Sequence, residues 1–148
     1  MSREQSSINA SMYYGPRTVD SLGTAIGGTR GVEKLVYEFD FDALPGTDAN
    51  DAVVPVIPAG KLIKAVYVDV LTAVTGATDY IIGLSEADGT VIDADGLVTS
   101  GDSALTAGSY AGSGALVGTN AGEDGQLTFA FTGTATAGSF RVVVEYLS

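Results

Sequence analysis

The sequence predicts an all-β protein, an antiparallel β-sandwich of about eight strands with an extended N-terminal arm. Several segments alternate apolar and polar residues with the period of two that is typical of half-buried strands. The 148 residues include 20 glycines, which suit tight turns. Lys and Arg, which favour helices, together number only 7. Turn signals separate the apolar segments at no fixed period, which favours a sandwich or a barrel over a solenoid.

The first and last strands show the clearest alternation. Leu35, Tyr37 and Phe39 occupy one face of the first, and the last repeats this pattern. Asp88-Gly89 is a hairpin signal between two further strands. The eight predicted strands are Leu35–Phe41, Ala52–Gly60, Lys61–Val74, Asp79–Ala87, Thr90–Asp93, Gly114–Thr119, Gln126–Thr134 and Ser139–Ser148. Residues 97–113 are compatible with one short helix or with a loop.

Two regions are predicted: a flexible N-terminal arm at residues 1–31 and a β-sandwich domain at residues 32–148. The arm is rich in Ser, Gly and Thr and lacks sustained periodicity. Within it, "SMYYGPRTV" brings together Tyr13, Tyr14 and Arg17, residue types that are enriched in binding hot spots. These three are the candidate contacts with a partner surface or with another subunit. The alternative is that they pack against their own domain.

The charge of the chain limits its partners. The formal net charge is -11, and such a surface repels polyanions, so neither nucleic acid nor an anionic membrane is an expected partner. The first residues lack the apolar core of a signal peptide, and no apolar run reaches the length that spans a bilayer. The sequence therefore predicts a soluble protein.

Three acidic residues, Asp88, Asp93 and Asp95, lie close together in "IIGLSEADGTVIDADG" and raise the question of a calcium site. Neither register fits an EF-hand loop, because the spacing of the acids is wrong and the terminal Glu is missing. Asp and Gly are also the residues that turns require, and Asp95 could cap a short helix starting near Leu97. We therefore expect turn and backbone contacts here and no metal.

No catalytic motif is present. The chain has no Cys and no His, which excludes Ser–His and Cys–His nucleophiles and the usual zinc ligands. A pair of carboxylates could still hydrolyse a glycoside, but 18 acidic residues make any nominated pair unspecific. We expect no enzyme, no catalytic residues and no cofactor, with a small carboxylate-dependent hydrolase as the weakest alternative.

Several segments in order resemble the capsid decoration (cement) proteins of tailed bacteriophages: "VIPAGKLIKAVYVDVLTAVTGATDYIIGLSEADGTVIDADGL", then "AGSGALVGT", then "ATAGSFRVVVEYL". The resemblance spans roughly residues 32–147. It implies a jelly-roll-like sandwich that forms a homotrimer on the outer capsid surface and contacts the major capsid protein. It also implies synthesis in the host cytoplasm. The alternative is a carbohydrate- or receptor-binding β-sandwich on a virion fibre.

Overall fold

The computed structural model describes residues 31–46 and 54–147. Within these ranges six β-strands form one sheet, every strand pair is antiparallel and no residue is helical. The strands are β1 (Val32–Asp40), β2 (Val56–Ile57), β3 (Leu62–Ser85), β4 (Val91–Val98), β5 (Gly108–Ala111) and β6 (Gly125–Leu147). The predicted all-β, antiparallel fold class is confirmed.

Two long strands organise the sheet. β3 has 24 residues and β6 has 23, and they pair from Leu62 opposite Leu147 to Ser85 opposite Gln126. β1 pairs with β6 and β5 with β3 at one end of this ribbon, while β2 pairs with β6 and β4 with β3 at the other. We call the first end layer 1 (β1, residues 139–147, residues 62–72, β5) and the second layer 2 (β2, residues 125–132, residues 79–85, β4).

The two layers face each other. Phe129 in layer 2 and Phe140 in layer 1 are eleven residues apart in β6 and would be separated by about 36 Å in a straight strand. Their ring centroids lie 4.8 Å apart. Tyr80 and Phe39 also contact aromatic rings of the opposite layer, at 5.5 Å from Phe140 and 5.0 Å from Phe129 respectively. The ribbon is therefore folded back on itself, and its aromatic side chains hold the layers together.

The ribbon formed by β3 and β6 bends where β3 changes register with β6, between residues 70 and 79. This segment and its partner consist largely of Thr, Ala and Gly. Gly76 has a φ of +89°, and a Cβ at this position would lie 2.3 Å from the carbonyl oxygen of Thr134. The hydroxyl groups of Thr75 and Thr136 are hydrogen-bonded at 2.9 Å across the bend. The bend therefore requires glycine at position 76, where the two backbones approach closely.

The core fills the space between the layers with side chains from both long strands. Tyr80, Ile82 and Leu84 of β3 are buried, as are Phe129 and Phe140 of β6. Burial raises the pKa of the Tyr80 hydroxyl above its ordinary value, because the charged phenolate would lose its hydration. The described residues thus bury a continuous apolar core of their own.

The predicted count of eight strands is wrong for the described residues. Lys61–Val74 and Asp79–Ala87 are parts of one strand, β3, and Gln126–Thr134 and Ser139–Ser148 are likewise joined in β6. Bulges and small residues let each strand bend without ending. Gly114–Thr119 forms turns instead of a strand, while residues 108–111, predicted as helix or loop, form β5.

Candidate interaction surface

The outer face of layer 1 points away from the core and carries an apolar row across the sheet. Strand register places four residues side by side: Val36, Val143, Tyr67 and Ala111. The alternation that buries Leu35 turns Val36 outward, where 52% of its surface is exposed, and Tyr67 is 40% exposed. A valine and a tyrosine therefore occupy the side of the strands where solvent-facing polar residues are expected.

Exposed apolar side chains concentrate on this face. Six large hydrophobic residues are exposed in the described part of the chain, and four of them lie on layer 1: Val32, Val36, Tyr67 and Leu71. Val32 follows the outward alternation of β1. Leu71 lies next to the buried Val70 and points away from the core. We call this set, with Val143, the outer-face patch.

Charged pairs flank the apolar row on both sides. On one side the Arg141 Nε donates a hydrogen bond to Glu38 Oε2 at 2.6 Å, and its guanidinium lies 3.5 Å from Asp69 Oδ2. The hydrogen bond and charge of Glu38, followed by those of Asp69, raise the pKa of Arg141. On the other side Lys34 and Glu145 form an ion pair at 3.7 Å. An apolar centre with a charged rim is the usual composition of a protein interface.

The Asp-rich stretch forms a tight turn and the start of a strand. Asp88 Oδ1 accepts a hydrogen bond from the Thr90 amide at 2.9 Å, and this bond lowers the pKa of the Asp88 carboxyl. Asp93 Oδ1 accepts from the Asp95 amide at 3.3 Å. The predicted hairpin between β3 and β4 is present, but the predicted capping role of Asp95 is wrong, because Leu97 lies within β4 instead of starting a helix.

A second polar cluster orders the loop after β4. Asp102 Oδ2 accepts hydrogen bonds from the hydroxyl groups of Ser113 and Thr99. These bonds, from Ser113 first and Thr99 second, lower the pKa of the Asp102 carboxyl. Nearby, the Ser100 hydroxyl donates to Asp79. The cluster connects the loop to β3 and to the segment after β5, so its role is structural.

An acidic cleft lies at the end of layer 2. Ala59, Ala87 and the carboxylates of Glu86, Glu123 and Asp124 line it. The Ala59 amide donates to Asp124 Oδ1 at 2.8 Å, which ties the loop before β3 to the loop before β6. Across residues 31–46 and 54–147, no group of three His, Cys, Asp or Glu side chains is arranged to hold a metal ion. The same ranges contain no helix that could cross a membrane.

The predicted contact residues Tyr13, Tyr14 and Arg17 lie outside the described residues, as does the arm that contains them. They stay predictions. Sequence reasoning missed the outer-face patch, although the signal was present: Val36 and Tyr67 are apolar residues at outward positions of alternating strands. One such residue is ordinary, and only the strand register shows that these lie in one row.

No family model matches this chain, and no curated protein matches it. Its structure is similar to a chain of the cyanophage Pam1 capsid asymmetric unit, with a TM-score of 0.56, 19% identity and coverage of 90% of this chain and 99% of the other. It is also similar to a chain of the capsid of Ralstonia phage GP4, with a TM-score of 0.52, 12% identity and coverage of 86% and 92%. At these identities the comparison establishes a shared fold: the chain has the fold of proteins found in two phage capsids.

Proposed function

We propose that this chain is a structural virion protein that decorates and stabilises the outside of a tailed-phage capsid. The observation that carries this proposal is the likeness to chains of two phage capsids, which includes 99% and 92% of those chains. The likeness also covers 90% and 86% of this chain, so it extends over most of the given sequence.

The proposed subunit is a jelly-roll-like sandwich that acts as a homotrimer and binds the major capsid protein. The outer-face patch supports assembly, because a row of exposed apolar side chains between ion pairs is suited to burial against a neighbour. A cyclic trimer would repeat each weak contact three times and gain avidity. We propose no enzymatic activity, synthesis in the host cytoplasm and no direct contact with nucleic acid or membrane.

Immunoelectron microscopy tests the location. Antibodies raised against the full chain are applied to intact particles of the phage that carries this sequence, and gold label is expected over the whole head surface. Particles disrupted before labelling serve as the control for epitopes inside the head. Label on the tail or fibres, or label on disrupted heads only, would contradict an outer capsid location.

The alternative is a carbohydrate- or receptor-binding β-sandwich on a virion fibre. Tyr67 favours it to a limited extent, because glycan sites display exposed aromatic rings and Tyr67 is the large aromatic side chain that is well exposed among the described residues. A glycan array probed with the wild-type chain and with Tyr67→Ala separates the two functions. Specific binding that the substitution abolishes would favour the alternative, and the absence of binding favours the capsid role.

A further inference from the structure

We propose that the outer-face patch is the docking site for the N-terminal segment, residues 1–30, of a neighbouring copy of this chain. The inference rests on the self-association in the proposed function and names the surface and the segment that produce it. In the isolated chain the apolar row leaves the half-exposed Val36 and Tyr67 in water. Burial of this row by a partner segment is therefore favourable.

The charge of the outer face of layer 1 determines which kind of partner segment binds favourably there. Around the row the outward positions carry four acids, Glu38, Asp40, Asp69 and Glu145, against three bases, Lys34, Lys64 and Arg141. The excess continues over the whole domain: residues 32–148 hold 4 basic and 16 acidic side chains, a net charge of -12. A partner that lies on this face is therefore favoured if it carries positive charge.

The same excess of acids disfavours the simplest symmetric contact. If two copies met through their outer faces, like charges would be brought together at the rim, which is unfavourable. A cyclic trimer, in contrast, uses heterologous contacts, in which one surface of a copy meets a different surface of the next. The outer-face patch then needs a second, different element of the chain as its partner.

The N-terminal segment has the required chemistry. Residues 1–31 hold three arginines, at positions 3, 17 and 30, against two acids, at positions 4 and 20, a net charge of +1 in a chain of -11. Within four residues of Arg17 the segment also carries the adjacent Tyr13 and Tyr14. Tyrosine rings can cover the row of Val36 and Tyr67, and the Arg17 guanidinium can pair with a carboxylate of the rim.

Two introduced cysteines test the contact directly, because the chain contains no native Cys. A full-length chain with Tyr14→Cys and Val36→Cys is oxidised at micromolar concentration and run on a non-reducing gel. We expect covalent dimers and trimers. Each single-cysteine variant can form dimers at most, and the pair Tyr14→Cys with Val91→Cys is the matched control, because Val91 is 64% exposed but lies on layer 2.

Light scattering on the same samples separates this inference from the proposed function. If the chain is a trimer and the Tyr14/Val36 pair forms no bond between chains, or only a bond within one chain, the docking site is wrong and the proposed assembly stands. If the chain is a monomer, the proposed trimer fails and the docking site fails with it. Interchain disulfide bonds in a trimeric sample support both the proposed trimer and the docking site.

Labelling of Val36→Cys by a maleimide supplies a second readout. We expect it to react at least about tenfold more slowly than Val91→Cys, because a docked segment leaves the patch open in only a minor population. Changing Arg3, Arg17 and Arg30 to Ser in the full chain, or raising the salt concentration, should restore the rate, since screening weakens surface charge pairs. Equal rates for the two cysteines in the unaltered trimer would overturn the proposal.

Discussion

At the scale of single residues, the structure depends on positions where a side chain would collide with backbone. Gly76 and Gly89 both have a positive φ, at +89° and +93°. They differ in their surroundings: a Cβ at position 76 would lie 2.3 Å from the Thr134 carbonyl oxygen, whereas nothing lies within 4 Å of one at position 89. The pair therefore separates the effect of backbone conformation from that of steric conflict.

We expect Gly89→Ala to lower the free energy of unfolding by roughly 1–2 kcal/mol, the usual effect of a left-handed conformation on a residue with a Cβ. Gly76→Ala should lower it by clearly more, because the backbones at the bend must also move apart. Urea denaturation monitored by tyrosine fluorescence measures both values. Equal losses for the two variants would show that the bend tolerates the extra methyl group.

The Asp102 cluster predicts a dependence of stability on pH. Its hydrogen bonds with Ser113 and Thr99 lower the pKa of Asp102 in the folded state. Its contribution to stability is therefore complete above the unfolded pKa of about 3.9 and is lost as the pH falls through the lower, folded value. The stability difference between the wild type and Asp102→Ala should accordingly be present at neutral pH and shrink in strong acid.

Urea denaturation of both chains across this pH range measures the effect. Ser113→Ala, which removes the first of the two donors, should show the same trend with a smaller amplitude. A wild-type advantage that stays constant from neutral pH into strong acid would mean that the carboxylate charge contributes nothing to folding.

At the scale of elements, the interface between the two layers depends on a few aromatic rings. Phe129 lies within 5.1 Å, ring centroid to ring centroid, of four others: Phe39, Tyr80, Phe131 and Phe140. It is 3% exposed and lies in layer 2, while Phe39 and Phe140 belong to layer 1. Removing this ring should therefore loosen one layer from the other.

We expect Phe129→Ala to lower the free energy of unfolding by about 3–5 kcal/mol, the range for buried Phe-to-Ala changes. Phe131→Ala is the matched control, because Phe131 contacts the same ring but is only half-buried. Chemical denaturation should give a smaller loss for Phe131→Ala. A larger loss for Phe131→Ala than for Phe129→Ala would show that Phe129 is not at the centre of the contact between the two layers.

The alternation of the sequence predicted the inward faces of the strands, but not where the strands end. Leu35, Phe39, Phe129 and Phe140 lie in the core as a period of two requires. The Thr-, Ala- and Gly-rich segments at the bend look like loops in sequence, because their side chains carry no apolar signal. They are strand nonetheless, since the partner strand supplies the backbone hydrogen bonds that no local pattern shows.

The candidate surface was beyond prediction for a related reason. Val36, Tyr67 and Val143 are distant in sequence and become neighbours only through the pairing of β6 with β1 and β3. Any one of them alone is an ordinary exposed apolar residue. The predicted contacts in the arm, in contrast, came from a local cluster of residue types and stay untested by the fold.

At the scale of the whole molecule, the proposed assembly is a homotrimer of 15.0 kDa chains. Light scattering at micromolar concentration should give three times this mass. Val36→Lys should reduce it, because a charge is then placed in the apolar row, while Val91→Lys on layer 2 should leave it unchanged. A wild-type monomer, or a Val36→Lys variant that stays fully trimeric, would contradict a role of the outer-face patch in association.

The central position of β6 in the sheet has a consequence for folding during synthesis. β6 pairs with β1, β2 and β3, and it follows all the other described strands in the chain. Val32 pairs with Leu147, 115 positions later, and most residue contacts join distant parts of the sequence. The sheet can therefore close only after β6 has left the ribosome. Until then the apolar strand β3 lacks its main pairing partner and is exposed to aggregation.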